Sequence, residues 1–311
     1  MGKNLKEISN RIKELAIGLG FTDCGIAPAS QLTQDAARLR KWLEKGMHAG
    51  MKYMESYFDK RIDPSLLVPG AKSVIVVLLN YFPEHQQKQE NNLILSKYAY
   101  GNDYHPVMKT MLRKFMQSIN EEITSLQGRI FVDSAPVLER ALASMSGLGW
   151  VGKNANLISP KHGSFCFIGE IITDIELDYN NQAIPDFCGS CKKCIEACPT
   201  NAIVADRVID GRKCISYWTI EHNGEIESSL KGKFENRIFG CDICQDVCPW
   251  NQKARPNKID AFNPSPDLIK MTSKDWPELT EKRFHELFDK TAVTRAGYKG
   301  LIRNIRFVPS D

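Results

Sequence analysis

The chain has 311 residues, of which 42% are hydrophobic and 25% are charged, the composition of an ordinary globular protein with room for two domains. Its formal net charge of +4 is too small to indicate a nucleic-acid-binding protein by itself. The longest apolar stretch, residues 73–79, is too short for a transmembrane helix, and no export signal is recognisable at the start. A cytoplasmic location is therefore expected.

The first predicted element is an amphipathic helix near the N-terminus. Its apolar residues recur every three or four positions, as they do on one face of a helix. These residues are Leu5, Ile8, Ile12, Leu15 and Leu19. The next clear signal is the β-branched run at residues 73–80, which predicts a buried strand.

Two helices and two strands are predicted further along. Apolar periodicity predicts a helix over 108–126, and a short strand over 129–132 is expected to end at Asp133. A proline suits the first turn of a helix over 137–145, and another strand is expected over 165–173. Residues 1–180 are therefore predicted to form one domain of mixed helices and strands.

Cysteines dominate the next segment, residues 181–252. Eight of the ten cysteines lie there, and in a reducing compartment such clustering indicates metal ligation rather than disulfides. The first run is Cys-x-x-Cys-x-x-Cys-x-x-x-Cys-Pro from Cys188, and the second is Cys-x-x-Cys-x-x-x-Cys-Pro from Cys241, with Cys214 between them. Residues 253–311 are predicted to be a linker followed by a basic helical tail.

The spacing of these runs is that of bacterial ferredoxins, in which the fourth cysteine of each run ligates the neighbouring [4Fe–4S] cluster. The first cluster would be held by Cys188, Cys191, Cys194 and Cys248. The second would be held by Cys198, Cys214, Cys241 and Cys244. Two structural zinc sites are the alternative, but zinc motifs usually show separated Cys-x-x-Cys pairs, so iron–sulfur clusters are favoured. Cys24 and Cys166 are expected to be buried apolar residues.

Several other residues have two interpretations. Asp133 suits a helix N-cap, and the residues alone favour that role over a catalytic one. Tyr104 and His105 follow Gly101 in a predicted loop and suit a pocket wall. The glycine-rich segment 147–154 lacks the spacing of a phosphate loop, so it indicates a helix C-cap, close approach of a flat ligand, or both.

Basic residues cluster in two places, near the second cysteine run and in the C-terminal tail. They are Lys231, Lys233, Arg237, Lys290, Arg295, Lys299, Arg303 and Arg306. Such a run is usually a solvated face, and phosphate contact becomes the better interpretation only with a nucleic-acid substrate.

The whole chain from residue 5 to 307 resembles the epoxyqueuosine reductase family. Seven segments carry the resemblance, and the last two contain four of the eight predicted ligating cysteines. They are KRxDP (60–64), LVPGAKSVI (67–75), YAxGxDYH (98–105), VDSAPVLER (132–140), GLGWVGKN (147–154), CISY (214–217) and NRIFGCDxCQxVCPWN (236–251).

The resemblance implies an α+β fold in three parts. Residues 1–180 would be a nitroreductase-like catalytic domain that binds cobalamin base-off, with no protein side chain on cobalt and with the cobalt near the first cluster. Residues 181–252 would be a ferredoxin-like domain with two [4Fe–4S] clusters. Residues 253–311 would be a short helical tail in place of most of the helical-repeat domain with which longer members end. The family is related in architecture to reductive dehalogenases.

The resemblance also implies an activity, the reduction of epoxyqueuosine at the wobble position of tRNA to queuosine with two electrons and two protons. An external low-potential donor would supply the electrons to a monomer that contacts no membrane. Asp133 would be the proton donor, and burial against the corrinoid is expected to raise its pKa. Corrinoid contacts are implied for Arg61, Tyr104, His105, Asp133, Gly152, Lys153, Asn154, Ile168 and Ser216. The alternatives are a reductive dehalogenase-like enzyme and a ferredoxin-type electron carrier.

Overall fold

The computed structural model describes residues 4–88, 92–179 and 184–308. The α-helices are α1 Leu5–Gly18, α2 Thr33–Glu44, α3 Phe58–Ile62, α4 Tyr104–Glu122, α5 Glu139–Met145, α6 Lys193–Glu196, α7 Ile243–Asp246, α8 Pro266–Lys270, α9 Glu281–Phe288 and α10 Gly297–Phe307. The strands are β1 Asp23–Pro28, β2 Ser73–Asn80, β3 Ile94–Leu95, β4 Gly128–Phe131, β5 Trp150–Val151, β6 Leu157–Ile158, β7 Cys166–Thr173, β8 Ile203–Ala205, β9 Val208–Ile209 and β10 Arg237–Phe239. A π-helix spans Tyr217–Glu221.

The main sheet has the strand order β1-β2-β7-β4, and every neighbouring pair is antiparallel. Strand β2 is apolar at consecutive positions because both faces of the sheet are covered. Ile75 and Val77 pack towards α1 and α4, whereas Val74 and Val76 pack towards α5. The N-terminal part is therefore a sheet between two helical layers, and the carboxyl-side end of β4 opens towards α4 and α5.

A separate core joins the cysteine-rich segment to the C-terminal helices. Its largest members include Trp276, Phe234 and Phe288, all fully buried. Residues 93–100 belong to the same core because β3 pairs in parallel with β10. The segment that precedes the candidate site is thus anchored on the cysteine-rich part of the chain.

The predicted elements are largely confirmed, with shifts at the helix ends. The strand predicted over 73–80 has those bounds, and the first helix begins at Leu5, although Leu5 itself is exposed. The prediction for α4 was wrong at its start. The Asp103 carboxylate accepts the backbone N–H of His105, so the helix begins at Tyr104, and Tyr104 and His105 lie in its first turn rather than in a loop.

In the part of the chain that the structure describes, no helix has both the length and the apolar character needed to cross a membrane.

The packing of β1 against the end of α5 generates a stability prediction. A Cβ atom at Gly25 would lie 2.4 Å from the backbone oxygen of Ser146, so Gly25→Ala forces the backbone apart. We expect the substitution to lower the free energy of unfolding by about 1–3 kcal/mol. Urea unfolding of anaerobically prepared protein measures the change.

Gly18→Ala is the matched control because no atom lies within 4 Å of a Cβ atom at that position in α1. Alanine there is expected to leave stability unchanged or to raise it by about 0.5–1 kcal/mol. Equal unfolding midpoints for the two variants would contradict the packing argument.

Candidate active site and cysteine groups

The structure brings together the four cysteines that the spacing assigned to the first cluster. Cys188, Cys191, Cys194 and Cys248 line one cavity of about 150 Å³. Trp150 covers one side and directs its indole Nε1 at the Cys188 Sγ, 3.5 Å away. In the described residues no three His, Cys, Asp or Glu side chains form a site for a single metal ion. Thiols that surround a space of this size suit a four-iron cluster.

The second group is more deeply enclosed. Burial raises the pKa values of Cys214, Cys241 and Cys244, that of Cys241 to about 12, and the charge of other cysteines in the group raises them further. Cys198 is the neighbour that acts on Cys214 in this way. Thiols in such surroundings stay ionised only next to a positive centre such as bound iron. The group therefore fits the second predicted cluster.

Backbone N–H groups point at the sulfurs, as in iron–sulfur proteins, where such bonds tune the reduction potential. The N–H of Ala202 donates to the Cys198 Sγ at 3.3 Å. The Cys214 sulfur accepts the backbone N–H groups of Ser216 and Tyr217 and also the Ser216 hydroxyl. Ser216 was predicted to contact the corrinoid, and the structure places its hydroxyl on Cys214, a predicted cluster ligand.

Residues 152–154 lie beside the cysteine groups. Lys153 and Asn154 line the cavity of the first group, and the Asn154 amide donates to the Cys244 carbonyl at 3.2 Å. Gly152 packs close to Ile158, since a Cβ atom there would meet its Cδ1 at 2.4 Å. Ile168 lies half-buried in β7 on the α5 side of the sheet. As corrinoid contacts all four residues remain predictions.

Asp133 stands where β4 ends and has a positive φ of 53°, a left-handed conformation. Its backbone N–H donates to the Glu139 carboxylate. The Asp133 side chain is 59% exposed, and its Oδ2 accepts the Tyr104 hydroxyl and lies 3.4 Å from the His105 Nε2. Asp133 makes no cap for α5, whose N-cap residue is Leu138 without a side-chain cap bond. The N-cap interpretation of Asp133 was therefore wrong.

The His105 ring lies between two carboxylates. Its Nδ1 is 2.7 Å from the Asp103 Oδ1, and its Nε2 faces Asp133. Hydrogen bonds with Asp103 and Asp133 raise the pKa of His105 to about 9, although burial opposes the shift. At neutral pH the imidazole therefore carries a proton.

The expected rise in the pKa of Asp133 was wrong. Burial does act to raise the pKa, but hydrogen bonds from His105 and Tyr104, together with the charges of His105 and Arg140, outweigh it and lower the pKa. The proton that His105 and Asp133 share consequently resides on His105. Asp133 is a carboxylate that the neighbouring imidazolium can protonate.

Three distant parts of the chain form the surroundings of Asp133. Burial and the charges of Glu221 and Asp133 raise the pKa of Tyr53 to about 12, so both carboxylates act electrostatically on its hydroxyl. Arg295 of the tail lies at the same place and pairs with Glu221 at 3.0 Å. The Arg61 guanidinium donates to the Tyr53 carbonyl at 2.7 Å.

Half-buried Tyr98 links Asp133 to the second cysteine group. Its ring centroid is 6.3 Å from that of Tyr104, and a Cβ atom at Gly240, next to Cys241, would lie 3.4 Å from its Cε1. Burial and the charges of Asp242 and Asp133 raise the pKa of Tyr98, so it stays uncharged. The acid site thus adjoins the second cysteine group.

Two of the basic residues expected to contact phosphate have structural roles instead. Arg303 donates to the carbonyls of Trp218, His222 and Gly224, and Arg237 is buried. Arg295 is exposed but forms an ion pair with Glu221, and the other basic side chains are exposed without such a role in the described part of the chain. They are Lys231, Lys233, Lys290, Lys299 and Arg306.

Sequence reasoning missed four acidic residues around Asp133. Asp103 and Glu139 stood inside quoted motifs but received no role, and Glu221 carried no signal. Glu170 did have a recognisable sequence signal, because a glutamate in an otherwise apolar buried strand is unusual.

Two family models match the chain. A model described as "Epoxyqueuosine reductase QueG, DUF1730" matches residues 61–134, and one described as "4Fe-4S double cluster binding domain" matches residues 187–251. The epoxyqueuosine reductase of Cellulophaga algicola is 53% identical over 300 residues, 96% of this chain and 97% of that protein. That of Aliivibrio fischeri is 40% identical over 312 residues, and the match covers 97% of this chain and 82% of that protein.

Solved structures give the same result. The chain is similar to an epoxyqueuosine reductase crystallised with an epoxyqueuosine-modified tRNA-Tyr stem loop, with a TM-score of 0.89, 28% identity and coverage of 97% of this chain and 80% of that chain. It is also similar to the Bacillus subtilis enzyme with its catalytic aspartate loop swung out of the active site, with a TM-score of 0.87, 28% identity and coverage of 97% and 81%.

The second cysteine group generates a test of ligation. We expect about eight irons per chain in the wild type and about half of that in Cys214→Ala, because the second cluster loses a ligand and the first keeps all four. Iron and sulfide analysis after anaerobic reconstitution measures the loss. Cys166→Ala, outside both groups, is the control and should keep both clusters. A colourless, zinc-filled wild-type protein would overturn the assignment.

Proposed function

The chain belongs to the epoxyqueuosine reductase family, and on that premise we propose that it reduces epoxyqueuosine at the wobble position of tRNA to queuosine. The observation that carries the proposal is the 53% identity over nearly the whole of a relative of that name. The proton-bearing His105 beside Asp133, next to an iron–sulfur cysteine group, supplies the chemistry that such a reduction needs. The stem loop bound to a similar enzyme supports tRNA as the substrate.

We propose cobalamin as the further cofactor, held base-off without a protein side chain on cobalt. Arg61 supports the fit, because it is buried and its Nε has no partner among the described residues. Tyr53 and Tyr57 are 47% and 67% exposed on the preceding segment, as aromatic residues that await a large apolar ligand would be. The chemistry that cobalamin supplies when bound is delivery of electrons from the clusters to the epoxide.

We place the cobalamin site beside the second cysteine group and not, as the resemblance implied, beside the first. Tyr98 and Gly240 connect the Asp133 pocket to Cys241. The first group is less enclosed and has Phe187, 51% exposed, at its rim. Electrons from an external low-potential donor would therefore enter at the first group and leave from the second.

The division of the chain into domains, its location and its oligomeric state are also proposals. It comprises a nitroreductase-like domain over residues 1–180, a ferredoxin-like domain over 181–252 and a short tail over 253–311, in a cytoplasmic monomer. The match covers 82% of the Aliivibrio fischeri protein.

The residues around Asp133 hold and move a proton. His105 Nε2 carries the proton at neutral pH, Asp133 Oδ2 faces it at 3.4 Å, and Asp103 keeps the ring oriented through Nδ1. In our proposal the proton passes from His105 to Asp133 and then to the epoxide oxygen, so the oxygen does not leave as an alkoxide. Tyr104 holds the carboxylate in place.

Asp133→Asn tests the acid. The amide keeps the size and hydrogen bonding of the carboxyl but delivers no proton, so turnover should fall by roughly 10²-fold or more while clusters and corrinoid remain. Turnover is measured by mass spectrometry of nucleosides from an epoxyqueuosine-containing stem loop. Asp35→Asn on α2, outside the site, should behave as the wild type. Wild-type turnover in fully loaded Asp133→Asn would show that another group is the acid.

The pH dependence follows from His105. Because its pKa is raised to about 9, the proton is present below that pH and is lost as the pH rises through it. We expect kcat to fall above about pH 9 in the wild type. His105→Gln should be slow already at neutral pH and should lack this fall. A wild-type profile in His105→Gln would exclude the imidazole as the proton carrier.

A further inference from the structure

Glu170 is the most unusual charged residue of the fold. It lies in the middle of β7 with 0% of its surface exposed, opposite Phe131 and Val76 in the sheet. Neither carboxylate oxygen has a hydrogen-bond partner among the described residues. A carboxyl group in such surroundings is strongly disfavoured as an anion, so Glu170 holds a proton at neutral pH.

Glu139 belongs to α5, which covers the face of the sheet that Glu170 shares with Ile168 and Ile172, and it contacts the acid site. It occupies the first turn of α5, is half-buried, and accepts the backbone N–H of Asp133. Removal from water and the charge of Asp133 raise the pKa of Glu139 to about 8, against the opposing charges of Arg140 and His105. Burial raises the pKa of Glu170, and the charges of Glu139 and Asp133 likewise raise it. Three carboxyl groups thus interact across the end of β4.

The proposed reaction places two protons on one oxygen, because the epoxide oxygen leaves as water. The pair of His105 and Asp133 carries only one of them at neutral pH. A second proton must therefore reach Asp133 within the same turnover, while substrate covers its exposed side. The group that supplies it has to lie on the protein side of Asp133.

We infer that Glu139 and Glu170 are positioning residues that store this second proton behind Asp133. The inference rests on the proposed function. After the first transfer His105 is neutral and no longer attracts the Asp133 carboxylate, whose Oδ2 stays on the Tyr104 hydroxyl while Oδ1 can receive a proton from Glu139. The Glu139 carboxyl gives its proton to Asp133, and Asp133 gives it to the oxygen. Glu170 restores the proton on Glu139, and solvent refills the pair through the half-buried Glu139. The two electrons come from the external donor through the clusters.

Arg140 is available to balance the charge that remains. Its Nη1 donates to the Ala155 carbonyl and not to a carboxylate. When the pair loses a proton, the guanidinium is close enough to act on the new anion, as it does on Glu139 and Asp133.

Infrared spectroscopy of the wild type with clusters and corrinoid bound tests, without turnover, whether Glu139 and Glu170 hold a proton. A protonated carboxyl band is expected at neutral pH, and it should be lost or halved in Glu170→Gln. Glu14→Gln, an exposed residue of α1, is the matched control and should keep the band. A wild-type spectrum without a protonated carboxyl band, or one unchanged in Glu170→Gln, would overturn the inference.

Turnover measurements then test whether the proton held by Glu139 and Glu170 is used in the reaction. Glu170→Gln should lower kcat about tenfold, less than removal of a direct acid, and should raise the solvent deuterium isotope effect on kcat with KM unchanged. Besides the fall near pH 9, the kcat of the wild type should show an earlier, partial fall as the pH rises through about 8, and Glu139→Gln should lack that step.

Glu170→Leu distinguishes a proton-storing role of Glu170 from a merely structural one. Removing a buried, unpartnered carboxyl should raise the melting temperature while kcat falls, whereas a merely structural glutamate would lower both. Wild-type kcat and isotope effect in Glu170→Gln would refute the store. A wild type that is fully loaded but inactive on the stem loop would refute the proposed function instead, with the infrared result standing separately.

Discussion

One histidine held between two carboxylates organises the candidate site. The ring of His105 joins the first turn of α4, through Asp103, to the end of β4, through Asp133. Because the two elements come from different layers of the N-terminal domain, the contact fixes where the open end of the sheet meets α4. The same contact decides the protonation of the site, since the imidazolium keeps Asp133 ionised. Geometry and proton supply therefore depend on a single ring.

The site lies where two kinds of interior meet. On one side, the sheet and its helices form an apolar core with one exceptional glutamate, Glu170. On the other side, the second cysteine group is enclosed among residues of the C-terminal core. Tyr98 stands between them, uncharged and half-buried. In the proposed mechanism, protons and electrons would thus reach Asp133 from opposite sides of the protein.

The sequence predicted the parts of this arrangement that depend on local pattern. The apolar run of β2 and the cysteine spacing are local signals, and the structure has the strand where it was predicted. The start of α4 was misplaced because apolar periodicity does not register a cap such as Asp103. The pKa of Asp133 was predicted in the wrong direction because burial was considered without His105, which only the fold brings near. Arg303 was taken for a surface cation, although its partners are carbonyls that lie far away in sequence.

The parallel pairing of β3 with β10 has a consequence for how the chain is made. A ribosome releases residues 92–100 long before their partners in the second cysteine run, and Leu95 and Tyr100 are buried only once the C-terminal core exists. The same delay applies to the first cysteine group, which needs Cys248 from the second run. Vectorial synthesis therefore leaves an apolar segment and an incomplete set of thiols exposed together until translation is nearly finished. Cluster insertion and the closing of the fold become one late event, in which an oxidant or a chaperone would compete for the nascent chain.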